Sequence, residues 1–539
     1  MIDCMNQNKP LSDSPMKIFT YLSPNFLELG IAIFNRIQNE VGELEIAVIS
    51  AGGPTVTERL AKETNLNVSS VTVLDELENN LLKQTDYMGR LKKLETRIGA
   101  RALNEILIAD RRIGYGYVYG ADMPSTPLIE MSADNEMVRK LLTGTTDFVV
   151  DTFDNFKPDA VITLSIASGI TRALSAICSH HDLPFLTLGA TRIEDLYIVD
   201  NDPECKLAPV RDEFQISLND PSRLGHHYEE AAQFIDKFRN RPIAPEYNIS
   251  YRNKFHSRVS ALGAVTQITQ GMGSLLRSLT QPSPRNDLRT PSLMGRAWWR
   301  GKVALREIYR LRYGPFLPKG KVPAAPYAYF PLHVTPEAST MVWSPMFTDQ
   351  IATIEALSKS LPPTMNLVIK EHLPMVGHRP NEFYERLRRM PKVVLVSPFE
   401  SSFELIAKAD LVAVITGTAG WEAILMGVPA LILGRVSYTD FGDGFVYCSD
   451  FANLPDAVEE ALQLEPASDE RLKQFIGTIF RISFRLPNEL LWSHPSKARV
   501  AELASEINAI ADRVLALIPR ASQQSTPVSV DEDEVVLQR

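Results

Sequence analysis

Between residues 326 and 448 six short apolar runs alternate with segments of helical periodicity, and no other feature limits the fold as tightly. "YAYFPLH", "MNLVIKEH", "KVVLVSP", "DLVAVITG", "PALILG" and "GFVYCS" read as strands. Between most of them, "FTDQIATIEALSKSL", "PNEFYERLRRM", "SSFELIAKA" and "AGWEAILMG" read as helices. Strands this short and this apolar must be covered on both faces, and the intervening helices supply the cover. The pattern predicts a doubly wound parallel sheet within residues 326–465.

The N-terminal part repeats the theme. "MKIFTYL", "LELGIAIFNRIQNEV" and "LEIAVISAGGP" read as strand, helix, strand and Gly-rich turn. "ALNEILIAD" ends in a short apolar run that fits the same alternation. "FKPDAVITLSIASG" reads as a strand opening into a Ser/Gly loop, "ITRALSAICSHH" as a helix and "LPFLTLGATRIED" as a strand. At 539 residues the chain exceeds what one core accommodates. The expected class is therefore α/β, with two doubly wound Rossmann-like domains facing a cleft. The first covers 16–215 and the second 326–465, with a basic helical connection over 216–325, helices over 466–519, and disordered ends at 1–15 and 520–539.

Composition narrows the function classes. The net charge of −9 argues against nucleic acid as principal partner. Cys4, Cys178, Cys205 and Cys448 form no C-x-x-C pair, which fits neither a disulfide framework nor a zinc site and points to a reducing cytoplasm. No apolar run reaches the roughly 18 residues of a spanning helix, and the polar N-terminus lacks a signal-peptide core. There is no G-x-x-x-x-G-K-[ST] loop, no G-x-S-x-G elbow and no H-x-x-x-H. The expected site is metal-free and uses no cofactor.

In an open parallel sheet ligands bind beyond the carboxyl ends of the strands. "LVIKEHLP" delivers Lys370, Glu371 and His372 to that edge, where charge is expected to face the cleft rather than the core. "PLHVTPEAST" brings His333, Glu337 and Ser339. "ITGTAGWEA" brings Thr416, Gly417, Thr418 and Gly420, the glycines allowing close backbone approach and the helix start attracting phosphate. Glu422 in the first turn is placed to accept from a ribose diol. Lys370, His372, His378 and Arg379 form a donor-rich, positive cluster suited to phosphate.

"YFPLHVTPEAST", "DQIATIEALSKSLP", "LVIKEHLPMVGHR" and "ITGTAGWEAILMGVPALILG", in this order and spacing, resemble the bacterial capsular polysaccharide biosynthesis family, relatives of the Kdo transferases. The likeness covers roughly residues 326–440; Leu373 stands where that family carries proline. The resemblance implies a GT-B glycosyltransferase fold. It also implies a sugar passed from a nucleotide-activated donor, CMP-linked being one candidate, to a growing surface polysaccharide or lipid-linked glycan. The C-terminal domain would hold the donor. Catalysis would combine His372 with an N-terminal carboxylate as base, Glu194 or Asp195 in "GATRIEDLY", with Asp110 behind them. Alternatives from the same cleft are a CDP-polyol phosphotransferase, a UDP-sugar epimerase or a non-catalytic glycan assembly protein. The expected location is cytoplasmic and peripheral at the inner membrane face. There the basic segment around Trp298 and Trp299 would meet an anionic surface.

Overall fold

A computed structural model describes residues 14–240, 288 and 291–519, apart from 52–53, 64, 84, 112, 114–125, 132–133, 205, 289–290, 325, 488 and 493–494. The first sheet uses β1 (Met16–Leu22), β2 (Leu44–Ser50), β3 (Asn67–Val73), β4 (Ala160–Thr163), β5 (Phe185–Ala190) and β6 (Leu196–Asp200). The second uses β7 (Tyr327–Pro331), β8 (Asn366–Lys370), β9 (Val393–Val396), β10 (Leu411–Val414), β11 (Ala430–Ile432) and β12 (Phe445–Tyr447). A two-residue strand, β13 (Phe484–Arg485), joins the first sheet late in the chain.

The strand orders are β3-β2-β1-β4-β5-β6-β13 and β9-β8-β7-β10-β11-β12. The second sheet is parallel throughout, and the first is parallel up to β5 with β6 and β13 antiparallel. Each sheet therefore reverses its winding once, between β1 and β4 and between β7 and β10. Those two gaps are the crevices where such sheets take ligands.

The covering helices follow from their apolar spacing. Helix Leu27–Val41 buries Leu29, Ile33 and Ile37 on one stripe and ends at Gly42, whose φ of 86° places it in the left-handed region. Helix Gln350–Ser360 starts where Asp349 accepts from the Ile351 and Ala352 amides at 2.9 and 3.3 Å. "ALNEILIAD" belongs to such a helix rather than to an alternation with strands. Ala100–Ala109 buries Leu103, Ile106 and Ala109, and that threefold spacing is helical.

The end of the chain returns to the first domain. β13 pairs with β6, and helix Ala504–Leu517 puts Ile507, Ile510 and Val514 into the cluster that holds Leu29, Ile33 and Ile37. Arg36 Nε donates to Asn508 Oδ1 across that packing at 2.8 Å. The segment expected as separate C-terminal helices is thus split. Asp469–Ile482 packs against His226–Asn240 and Ala208–Asn219, with Phe475 5.0 Å from Phe214 and 5.6 Å from Trp421. This aromatic belt joins the two sheets' outer layers. Of the expected connection, residues 241–287, 289–290 and 325 lie outside the described residues, as do 1–13 and 520–539 of the expected disordered ends. Among the described residues no helix is long and apolar enough to cross a membrane.

Candidate active site

The crevice between β7 and β10 is built around His333. Its amide donates to Gln350 Oε1 at 2.8 Å, and Gln350 Nε2 donates back to the His333 carbonyl at 3.1 Å and to Thr335 Oγ1 at 2.6 Å. From the other strand, the Thr416 amide donates to His333 Nε2 at 3.2 Å. An Nε2 that accepts carries no proton, so the ring is neutral with its hydrogen on Nδ1. Burial pushes the imidazole down to about 3, and the nearby His372, Arg379 and Arg192 act in the same direction. A Cβ on Gly417 would stand 3.2 Å from that same Nε2, so a side chain there would press on the ring. Thr416 Oγ1 donates to the Ser339 carbonyl at 2.8 Å, and the Ser339 hydroxyl donates to Glu337 Oε2 at 2.7 Å. Sequence reasoning missed Gln350, although a glutamine in the first turn of a helix beside a strand end is a visible signal.

Glu371 and Arg379 depart from expectation. Rather than facing the cleft, Glu371 is 1 % exposed and Arg379 2 %. Glu371 Oε2 accepts from Arg379 Nε at 2.6 Å and from the Tyr384 hydroxyl at 2.7 Å, and Oε1 accepts from the His372 amide at 2.8 Å. Arg379 Nη2 donates to the His333 carbonyl at 2.6 Å, and its guanidinium lies 4.4 Å from the Phe383 ring centre. A buried charge persists only when paired and fully hydrogen-bonded. Here the pair ties the loop after β8 to the loop after β7. It holds His333 and His372 in place without spending either charge on a ligand.

His372 is partly buried, and its Nδ1 is buried with no hydrogen-bond partner among the described residues. Burial lowers its pKa, against the pull of Glu371 and Glu337, so it is neutral near pH 7 and acts as a hydrogen-bonding group rather than a cation. The positive charge comes from Lys370, whose Nζ donates to Ser402 Oγ at 2.6 Å. Across from it Glu422 lies in helix Thr418–Leu425, which Gly417 caps and Gly420 lets pack; it is the helix's fifth residue and so past the first turn expected from sequence. A Cβ on Gly420 would meet Val414 Cγ2 at 2.8 Å and Tyr438 Oη at 2.9 Å, so this glycine serves packing as well as the loop.

Burial pushes the Glu422 carboxyl up to about 7, with Lys370 and Thr418 opposing the rise. The sign of the linkage follows. An unfolded glutamate releases its proton near 4.5 and this one keeps it to about 7, so stability falls as pH climbs through that window. Glu422→Gln is therefore expected to stabilise the protein by about 2 kcal/mol at pH 8 and to be neutral at pH 4. The full shift would give roughly 3, but the side chain is only partly buried and solvent screens it. Urea midpoints at both pH values check this; an equal effect at both would refute it.

The N-terminal domain reaches this crevice through a residue not singled out from sequence. Arg192 follows β5 with φ 70° and lies 5.2 Å from the ring centre of Trp343, on the segment after β7. Its charge is felt at His333 and at Tyr438, whose hydroxyl donates to the Gly417 carbonyl at 2.5 Å. The turn carrying it is held by Thr191, whose amide and Oγ1 both donate to the Leu196 carbonyl, at 3.1 and 3.0 Å. Just past the end of β5 the sequence reading chose the carboxylates Glu194 and Asp195 and passed over the cation two residues before them.

Glu194 and Asp195 stand two and three residues further on and point elsewhere. Arg485 Nη1 donates to Glu194 Oε2 at 3.1 Å and to Asp195 Oδ1 at 2.5 Å, which fastens β13 to the β5–β6 turn. Asp110 stands at the crevice of the first sheet. It accepts from the Ile113 amide at 3.1 Å, and a Cβ on Gly169, first residue of the helix after β4, would come within 3.3 Å of its Oδ2. Among the described residues, one group could hold a metal ion: His226, His227 and Glu230, at the start of helix His226–Asn240 and away from these strand ends.

No family model matches the chain, and no curated protein matches it. Among solved structures it is similar to a UDP-GlcNAc 2-epimerase from Methanocaldococcus jannaschii, at 12% identity and a TM-score of 0.25, over 87% of this chain and 99% of that one. It is similar to the KpsC β-Kdo 2,7-transferase of Thermosulfurimonas dismutans, at 12% identity and a TM-score of 0.31, over 61% and 78%. It is also similar to the glycosyltransferase VinC in complex with dTDP, at 13% identity and a TM-score of 0.21, over 92% and 100%.

Proposed function

We propose that the chain is a glycosyltransferase of the GT-B kind, passing a sugar from a nucleotide-activated donor to a surface polysaccharide or its lipid-linked precursor. One observation carries the reading. Cations from both domains, Lys370 at the end of β8 and Arg192 after β5, flank neutral histidines and the start of helix Thr418–Leu425. Departure of a nucleotide leaves negative charge on phosphate oxygens. Two cations, backbone amides and an imidazole stabilise that charge without needing a metal. Glu422 and Glu337 supply acceptors for hydroxyls of the donor. The resemblance of the strand-end segments to capsular polysaccharide enzymes supports the choice of donor and acceptor class.

In this reading the acceptor hydroxyl loses its proton to a carboxylate of the N-terminal domain. Asp110 stands in the crevice of that sheet, whereas Glu194 and Asp195 are fastened to Arg485 on β13.

The test is a thermal-shift panel of CMP, CDP, UDP and GDP with EDTA present. One nucleotide is expected to raise the melting temperature by mass action. His372→Ala should weaken that nucleotide on the order of ten- to a hundredfold, the loss of one or two hydrogen bonds, with the free protein's melting temperature unchanged. Release of free nucleotide from the matching sugar donor would mark a transferase; isomerised sugar without release would mark an epimerase. Failure of every nucleotide to bind, or binding only after Mg²⁺ or Mn²⁺ is restored, would refute the proposal as stated.

A further inference from the structure

Helix Leu293–Tyr313, "LMGRAWWRGKVALREIYRLRY", has six basic side chains against one acid, Glu307. It is fastened to the C-terminal domain along one face. Val303 is buried over Gly377, where an added Cβ would come within 2.6 Å of the Val303 carbonyl oxygen. Arg310 is 3 % exposed and donates to the Val376 carbonyl and to Asn381 Oδ1, both at 2.6 Å. The Trp299 ring lies 5.2 Å from His378. Trp299, expected from sequence at a membrane surface, is thus packed inward, as is Arg310 of the same helix.

The opposite face is apolar and open. Met294 and Trp298 are 78 % exposed, Leu305 and Tyr313 72 %, and Tyr309 62 %. Steps of four, seven, four and four residues place them on one stripe of the helix. Apart from Met346, no other large apolar side chain among the described residues is as exposed as these five. At 3.6 residues per turn Lys302 falls within the stripe and Arg312 and Arg306 at its two edges, while Arg300 is exposed on the side away from it.

We propose that this face lies on an anionic phospholipid surface, with Met294, Trp298, Leu305, Tyr309 and Tyr313 in the interfacial layer and the basic side chains among the headgroups. Charge decides between occupants. A chain of net charge −9 has gathered an excess of cations around its most exposed apolar stripe, which complements an anionic bilayer. Pairing the same face with a second copy would bring two basic helices together. Trp and Tyr suit an interface because an apolar ring and a polar tip sit at one boundary. The inward face contacts Val376 and His378, in the loop that carries His372 and Arg379, so the bilayer would lie one helix away from the candidate site. The inference does not depend on the reaction proposed above.

The full chain should pellet with vesicles of equimolar phosphatidylcholine and phosphatidylglycerol at about 0.1 M salt. It should be released near 1 M, where the screening length falls to about 3 Å. It should not pellet with phosphatidylcholine alone. Replacing Trp298, Leu305 and Tyr309 by Ser should abolish pelleting. Replacing Lys302, Arg306 and Arg312 by Gln should weaken it on the order of a hundredfold, about fivefold per charge. None of these side chains is buried, and circular dichroism and melting temperature check that both variants fold. Three results would overturn the proposal: equal binding to phosphatidylcholine alone, undiminished binding by both variants, or self-association that the serine variant dissolves in a protein that ignores vesicles.

Discussion

Arg379→Met is expected to remove roughly 3 to 5 kcal/mol of stability, because it strands the Glu371 carboxylate in an interior where no other cation among the described residues is in direct contact. The loss is not the energy of one salt bridge. Glu371 Oε2 would keep the Tyr384 hydroxyl at 2.7 Å, but the His333 carbonyl would lose the donor that Arg379 Nη2 supplies. Gln350 Nε2 still donates to that carbonyl at 3.1 Å, so the penalty comes chiefly from the stranded carboxylate. The double variant Glu371→Leu with Arg379→Met removes both charges while filling similar volume, and should recover more than half of the deficit. Urea unfolding of wild type, both singles and the double gives the coupling directly. A single-variant cost below about 1 kcal/mol, or a double variant no better than the worse single, would mean that the pair does not anchor the loop.

That pair also shows where reading the sequence stops. "LVIKEHLP" announces a strand and its end correctly, because burial of Leu367, Val368 and Ile369 follows from an apolar run. The fate of Glu371 does not follow, since it depends on Arg379 and Tyr384 returning from eight and thirteen residues downstream to close over it. Local charge reads as exposure, and only the tertiary partners reverse that reading. Glu194 and Asp195 mislead in the same way at longer range: Arg485, which holds both, comes roughly 290 residues later on a strand of two residues. Both doubly wound sheets were legible because their strands are short, apolar and evenly spaced. The return of the C-terminal helix onto Leu27–Val41 was not, since an amphipathic stripe states that it must be covered and not by what. The strand-end rule brought His333, Lys370, His372, Thr416 and Glu422 to one edge, and the structure adds Gln350, Ser402 and Arg192 to them.

Arg192→Gly is expected to lower turnover on the order of a hundredfold or more while leaving stability within about 1 kcal/mol of wild type, a separation few cleft substitutions would give. Three modest terms nearly cancel in the folded protein. Arginine at φ 70° sits in the left-handed region, at a strain of about 1 to 2 kcal/mol that glycine relieves. Glycine gives back roughly 0.5 to 1 kcal/mol through its greater freedom in the unfolded chain. Loss of the contact 5.2 Å from the Trp343 ring gives back another 0.5 to 1. Nothing cancels in the reaction. If Arg192 is the cation that the N-terminal domain brings to the leaving phosphate, its removal leaves Lys370 alone against the developing charge. Loss of one such donor elsewhere raises the barrier by about 3 to 4 kcal/mol. Arg192→Lys, which keeps the charge but not the two-pronged donor geometry, should fall between the two. The measurement is kcat with the donor that the nucleotide panel identifies, alongside melting temperatures of the three proteins. Wild-type turnover in Arg192→Gly would remove this residue from the site and return the N-terminal domain to binding the acceptor only.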